Sequence, residues 1–172
     1  MDLAKTLKTA LGFERKVERM YALAAKKAAD PRARRFLATM AREERMHVAY
    51  LEARTVELTH EGRVTVPELK TAVPDPGRLA KGAAALKRTM RARRSASGRE
   101  EVELLERVVR SEESSTAFYR EAVAAAGGDA RALFRRFLEI EEGHTALAQA
   151  ELDSVTGLGF WFDVREFDLE AA

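Results

Sequence analysis

The sequence predicts an all-α fold, a four-helix bundle made of two helical hairpins joined by a long crossover. Three observations carry that expectation. Composition is helix-favouring: Ala, Leu, Glu, Arg and Lys dominate the 172 residues, with only 10 Gly and 4 Pro. Four long segments repeat apolar residues with helical periodicity. Two short breaks divide those segments into two pairs, and a stretch of about forty residues separates the pairs, the connection a crossover bundle needs.

The first helix is expected from Leu3 to Ala29, with Leu7, Leu11, Val17, Tyr21 and Ala24 near one face. Asp30-Pro31 then supplies an N-cap and a proline suited to the first helical position. A second helix should run to about Arg54, with Leu37, Met40, Val48 and Leu51 inward. Residues 55–96 form the crossover. Within it Arg63 to Val73 reads as extended chain, and Asp75-Pro76-Gly77 can start a short helix striped by Leu79, Ala83, Leu86 and Met90. The third long helix is expected from Ser97, where Ser97 and Glu100 match a capping box, to about Ala126. After the break at Gly127-Gly128-Asp129 the fourth should continue from Ala130 to about Val155, where Thr156-Gly157 reads as a stop. Residues 1–156 are thus the bundle domain. Residues 157–172 are a tail holding Phe160, Trp161, Phe162 and Phe167, an aromatic cluster expected to pack on the bundle or on a partner subunit.

Composition excludes several chemistries. There are no cysteines, so disulfides, thiolate metal sites, cysteine nucleophiles and iron–sulfur clusters are ruled out. A metal would have to be held by oxygen and nitrogen. No apolar run approaches the about 18 residues that span a bilayer. Met1-Asp2-Leu3-Ala4-Lys5 does not read as a signal peptide, so the expected location is the cytoplasm. The net charge of +2 implies no polyanionic partner. From Arg78 to Arg99 there are eight basic residues and no acidic one. Without interleaved aromatics to stack on bases, this run reads as the solvated face of a crossover helix rather than a nucleic-acid surface.

The anomaly is a carboxylate on each apolar stripe. Glu14 lies between Leu7, Val17 and Tyr21, and Glu112 between Leu105, Val109 and Tyr119. Glu44 and His47 interrupt the second stripe, and Glu141 and His144 the fourth, both as Glu-x-x-His, which places the two side chains one turn apart on one face. The hairpins match each other: Glu14 and Glu112 each precede a tyrosine by seven residues, Glu14 to Glu44 is 30 residues, and Glu112 to Glu141 is 29. Of three histidines, two fall at matched positions, while His60 reads as a solvated loop residue. Four carboxylates converging in a core would repel and be desolvated, and two divalent cations would remove both penalties. Oxygen and nitrogen donors suit iron or manganese.

On these residues the chain resembles the ferritin-like superfamily and, within it, the rubrerythrin-like proteins. The resemblance covers both hairpins and rests on Glu14 with Tyr21, Glu44-x-x-His47, Glu112 with Tyr119, and Glu141-x-x-His144. It implies a di-iron centre in which Glu44 and Glu141 bridge the metals, Glu14 and His47 complete one ligand set, and Glu112 and His144 the other. Tyr21 and Tyr119 would hydrogen-bond to ligand carboxylates and orient them. It further implies an oxidoreductase that reduces peroxide or oxygen, active as a homodimer or larger homo-oligomer.

Two departures stand out. Rubrerythrin commonly adds a four-cysteine iron domain, absent here, so electrons would come from an external donor protein. Where rubrerythrin carries a further glutamate one turn after the third-helix ligand, this chain has Ser115. Three alternatives stay open on the residues alone: a ferroxidase or iron-storage protein, a dimanganese catalase, and a structural or DNA-associated helical module. For the tail, deletion of residues 157–172 should dissociate the oligomer or lower the melting temperature. A truncated protein that keeps both its mass in solution and its melting temperature would show the tail to be dispensable.

Overall fold

In the computed structural model, which describes residues 2–71 and 98–156, 87% of the described residues are helical and none is in a strand. Four helices make up the bundle: α1 (Leu3–Lys27), α2 (Pro31–Glu61), α3 (Arg99–Ala125) and α4 (Gly128–Thr156). Asp2 caps α1 by accepting from the Lys5 amide, and Asp30 caps α2 by accepting from the Arg32 amide. Pro31 occupies the first turn of α2 as its fixed φ allows.

Several boundaries differ from those read in the sequence. The α2 helix continues past Arg54 to Glu61, so residues 55–61 belong to the bundle and His60 is an exposed helical residue, not a loop residue. What ends α2 is Gly62, whose φ of 70° suits a residue without a Cβ and whose amide donates to the Leu58 carbonyl. The α3 cap is Gly98 with no side-chain hydrogen bond, in place of the Ser97–Glu100 capping box; Glu100 instead pairs with Lys27. At the second break the turn is tighter than expected: Gly128, at φ 52°, already begins α4. The short crossover helix from Asp75 and the aromatic tail lie outside the described residues.

The hairpins are α1–α2 and α3–α4, and α1 lies along α3. Tyr21 meets Glu112 while Glu14 meets Tyr119, so α1 and α3 run antiparallel. The apolar core comes in two parts. One gathers Val17, Tyr21, Leu37, Met40, Leu105, Val108 and Ala148. The other gathers Leu7, Leu11, Leu51, Tyr119, Phe134, Phe137 and Ile140. Each helix crosses from one part to the other through its own acidic or acidic-and-histidine positions, so the polar residues form a belt at the waist. After α2 the chain turns back along it. Tyr50 donates to the Pro67 carbonyl (2.9 Å), Thr71 donates to Glu43 (2.6 Å), and Val64 and Leu69 close the second part of the core.

Phe134 is fully buried in that second part, two helical turns before Glu141. Phe134→Ala should cost about 3–5 kcal/mol of unfolding free energy, the usual range for emptying a large aromatic site. Chemical denaturation measures it, and a loss below about 1 kcal/mol would show that the core collapses into the cavity.

Candidate metal centre

All six residues singled out at the polar positions are buried: Glu14 is 1% exposed, and Glu44, His47, Glu112, Glu141 and His144 are 0% exposed. Their helices bring them together because each sits on its helix's apolar stripe and the bundle buries all four stripes. Candidate ligand atoms of Glu44, His47, Glu141 and His144, from α2 and α4, lie within 4.8 Å of one another, and this group can hold a metal ion. The remaining two flank it from α1 and α3.

The histidines aim Nδ1 into the carboxylates. His47 Nδ1 lies 3.1 Å from Glu14 Oε2, with which it is hydrogen-bonded, 3.4 Å from Glu44 Oε2 and 3.5 Å from Glu141 Oε1. His144 Nδ1 lies 2.6 Å from Glu44 Oε1, an ion-pair distance without hydrogen-bond alignment, and 3.6 Å from Glu141 Oε1. The two imidazoles stack 5.2 Å apart at an interplanar angle of 11°. Phe137 meets the His47 ring edge-on and stacks on Tyr119, fixing the imidazole from the apolar side.

Tyrosines tie the hairpins together across the centre. The Tyr21 hydroxyl donates to Glu112 Oε1 at 2.5 Å, and the Tyr119 hydroxyl donates to Glu14 Oε1. Each phenol therefore orients the carboxylate of the opposite hairpin, in the position expected of a group that holds a ligand in place.

Against this geometry, many polar atoms stay unmatched. Both oxygens of Glu44 and of Glu141, Glu112 Oε2, His47 Nε2 and both nitrogens of His144 are buried without a hydrogen-bond partner. Buried polar groups are ordinarily paired, and leaving several unpaired in one place costs several kcal/mol. A bound cation supplies what these atoms lack, so the donor set fits a metal.

Electrostatics point the same way. Burial, reinforced by the Glu141 charge, pushes Glu14 well above the ordinary carboxylate range despite the opposing His47 hydrogen bond. Burial and the charges of Glu44 and Glu141 do the same to Glu112. Burial would raise Glu44 too, but His144 and His47 outweigh it and hold Glu44 below its usual range. For His47 burial favours the neutral ring, yet hydrogen bonds to Glu14, Glu141 and Glu44 keep it protonated well above its ordinary value. Tyr21 and Tyr119 are pushed up by burial and by the carboxylates they face, so both phenols remain donors.

The periodicity reading did not single out three other buried acids. Glu43 is buried beside Glu44 and accepts from Thr71. Glu101 and Glu151 are buried at the end of the bundle that holds the α1–α2 turn. Both could have been found by extending the stripes outward, through Glu101-Leu105-Val108-Glu112 and His144-Ala148-Glu151-Val155. No family model, no curated protein and no solved structure matches the chain.

Proton displacement gives a direct test. Glu14, Glu112 and His47 are all pushed toward their protonated forms and must be deprotonated to become ligands, so loading with Fe2+ or Mn2+ should release protons. The sign follows: these raised values favour the protonated centre at low pH, so apparent metal affinity should fall as pH falls below neutral. An indicator dye in weak buffer measures the release, and proton-neutral binding would place the metal elsewhere.

Proposed function

We propose that this chain is a ferritin-like, rubrerythrin-like oxidoreductase that reduces peroxide or oxygen at a di-iron centre held by Glu14, Glu44, His47, Glu112, Glu141 and His144. The observation that carries the reading is the convergence of unpartnered buried carboxylate and imidazole atoms from α2 and α4 at the waist of the bundle. A bundle whose facing helices each bring Glu-x-x-His, while the other two each bring a Glu, has the donor set of di-iron carboxylate proteins. Two irons, when bound, would supply the two electrons that peroxide reduction needs.

What the chain itself contributes can be followed residue by residue. Glu44 and Glu141, from facing helices, bring four unpartnered oxygens to one place, as bridging ligands require. Glu14 and His47 stand on one side and Glu112 and His144 complete the set. Tyr21 and Tyr119 hold one oxygen each of Glu112 and Glu14, so those carboxylates keep their orientation while the charge of the centre changes. Phe137 and the two halves of the apolar core exclude bulk water from the waist. The carboxylates and His47 take up and return protons as charge comes and goes, which oxygen–oxygen bond reduction to water requires. With no cysteines to hold an iron–sulfur relay, the reducing equivalents come from a separate donor protein.

Two measurements decide the matter. Glu44→Ala with Glu141→Ala should abolish dinuclear binding, read by metal analysis; two metals retained at unchanged affinity would falsify the ligand assignment. In stopped flow, the ferrous protein should be oxidised by peroxide or oxygen, turn over only with an added reductant, and keep the same two irons per chain. Ferrous iron consumed far beyond two per chain, with mineral or released ferric product, would make iron a substrate and the protein a ferroxidase. Manganese as the native metal would redirect the reading to a catalase.

A further inference from the structure

A second group of buried acids lies away from the waist. Glu151, in the last two turns of α4, is 1% exposed, and Glu101, in the first turn of α3, is 5% exposed. Both oxygens of Glu151 and Oε1 of Glu101 have no hydrogen-bond partner. The two carboxylates are close enough for Glu101 to raise the Glu151 pKa, and the exposed Asp30 at the α1–α2 turn adds to the same negative field. Burial is the larger cause, and together they push Glu151 up to about 8.

Three basic side chains at this end have other partners. Lys27 pairs with Glu100, Arg99 pairs with Glu103 at 2.8 Å, and Arg34 donates to the Ala28 carbonyl at 3.0 Å. Among the described residues no basic side chain pairs with Glu101 or Glu151, and two buried carboxylates without a counter-charge are costly unless a proton or a cation joins them. No symmetry demands them either: the hairpin repeat that matches Glu44 to Glu141 matches Glu151 to Arg54, and matches Glu101 to Leu3. The pair is therefore particular to this end of the molecule.

We propose that Glu101 and Glu151 bind a divalent cation, at a site separate from the Glu/His group at the waist. Its donors are oxygen only, with neither histidine nor thiolate, so it takes a cation of the Mg2+, Ca2+ or Mn2+ class rather than zinc or copper. Two carboxylates neutralise the cation's charge, and water fills the remaining positions, as hard cations ordinarily retain it. The cation links the start of α3 to the end of α4, fastening the second hairpin at its open end.

Manganese is the probe, counted per chain by equilibrium dialysis with electron paramagnetic resonance at pH 7.5. Glu101→Gln with Glu151→Gln should bind one ion fewer than wild type, and Glu44→Ala with Glu141→Ala should retain that ion. Equal manganese counts in wild type and E101Q/E151Q overturn the site; they would mean that the acids share a proton instead. Loss of all manganese in E44A/E141A overturns it as well. Conversely, a count unchanged in E44A/E141A but reduced in E101Q/E151Q supports this site while removing the reading of the waist, so the two fail separately. Melting curves give a readout that needs no glutamine variant: saturating Mn2+ should raise the melting temperature of E44A/E141A, and an unchanged curve counts against the site.

Discussion

The unpaired charge at the waist governs the molecule. Four carboxylates and two imidazoles occupy the middle of a bundle where all six are buried. Isolated ionised groups in such surroundings cost several kcal/mol each after relaxation, comparable together to the whole stability of a domain this size. The two parts of the apolar core are what hold that belt closed. Each helix is long enough to bury a separate apolar segment on either side of its polar residues, so opening the belt would expose a core at one end or the other.

Within the belt, the distribution of protons shows how the protein tolerates its own charge. Glu14 and Glu112 are pushed toward the neutral acid, while His47 is held toward the cation and Glu44 toward the anion. The raised values at Glu14, Glu112 and His47 all act to reduce the negative charge of the centre. A multivalent cation achieves the same balance with fewer particles, and it also gives a partner to oxygens that have no hydrogen bond, such as both of Glu141. The tyrosines keep this exchange local. Each donates across the hairpin boundary, so changes in charge at one carboxylate are borne by a phenol of the other half.

Much of this was legible in the sequence because helices make register visible. The four stripes, the matched Glu-x-x-His pairs and the tyrosines seven residues after Glu14 and Glu112 all fall out of a single period. That period also placed the polar residues face to face, since a stripe that is buried takes its polar members with it. It could not say which tyrosine meets which glutamate; that depends on α1 and α3 being antiparallel, which pairs Tyr21 with Glu112 rather than with Glu14 of its own helix. Helix ends were less legible. Thr55 to Glu61 contains no breaker, and α2 stops only where Gly62 can adopt a positive φ. The Ser97–Glu100 pattern misplaced the cap by one residue: Gly98 is the N-cap, so Glu100 falls at the second helical position rather than the third that a capping box needs, and it pairs with Lys27. Glu101 and Glu151 are less legible because neither has an acidic counterpart in the other hairpin, where Leu3 and Arg54 stand, whereas the residues at the waist announce themselves by repetition.

Repetition itself is incomplete in an instructive way. The shift that carries Glu14 to Glu112 and Tyr21 to Tyr119 also carries Val17 to Ser115. Both residues are buried on the stripe one turn beyond the glutamate, but Val17 joins the apolar core while the Ser115 hydroxyl has no partner. Packing alone would favour an apolar side chain at Ser115, because an unsatisfied buried hydroxyl costs about 1–3 kcal/mol. The candidate ligands are equivalent in both halves, whereas their flanks are not. The centre is therefore symmetric in what would hold metal and asymmetric in its surroundings, with the only orphaned hydroxyls among the described residues, Ser111 and Ser115, both on α3 beside Glu112. That polarity gives the two halves of the centre different surroundings although their candidate ligands match.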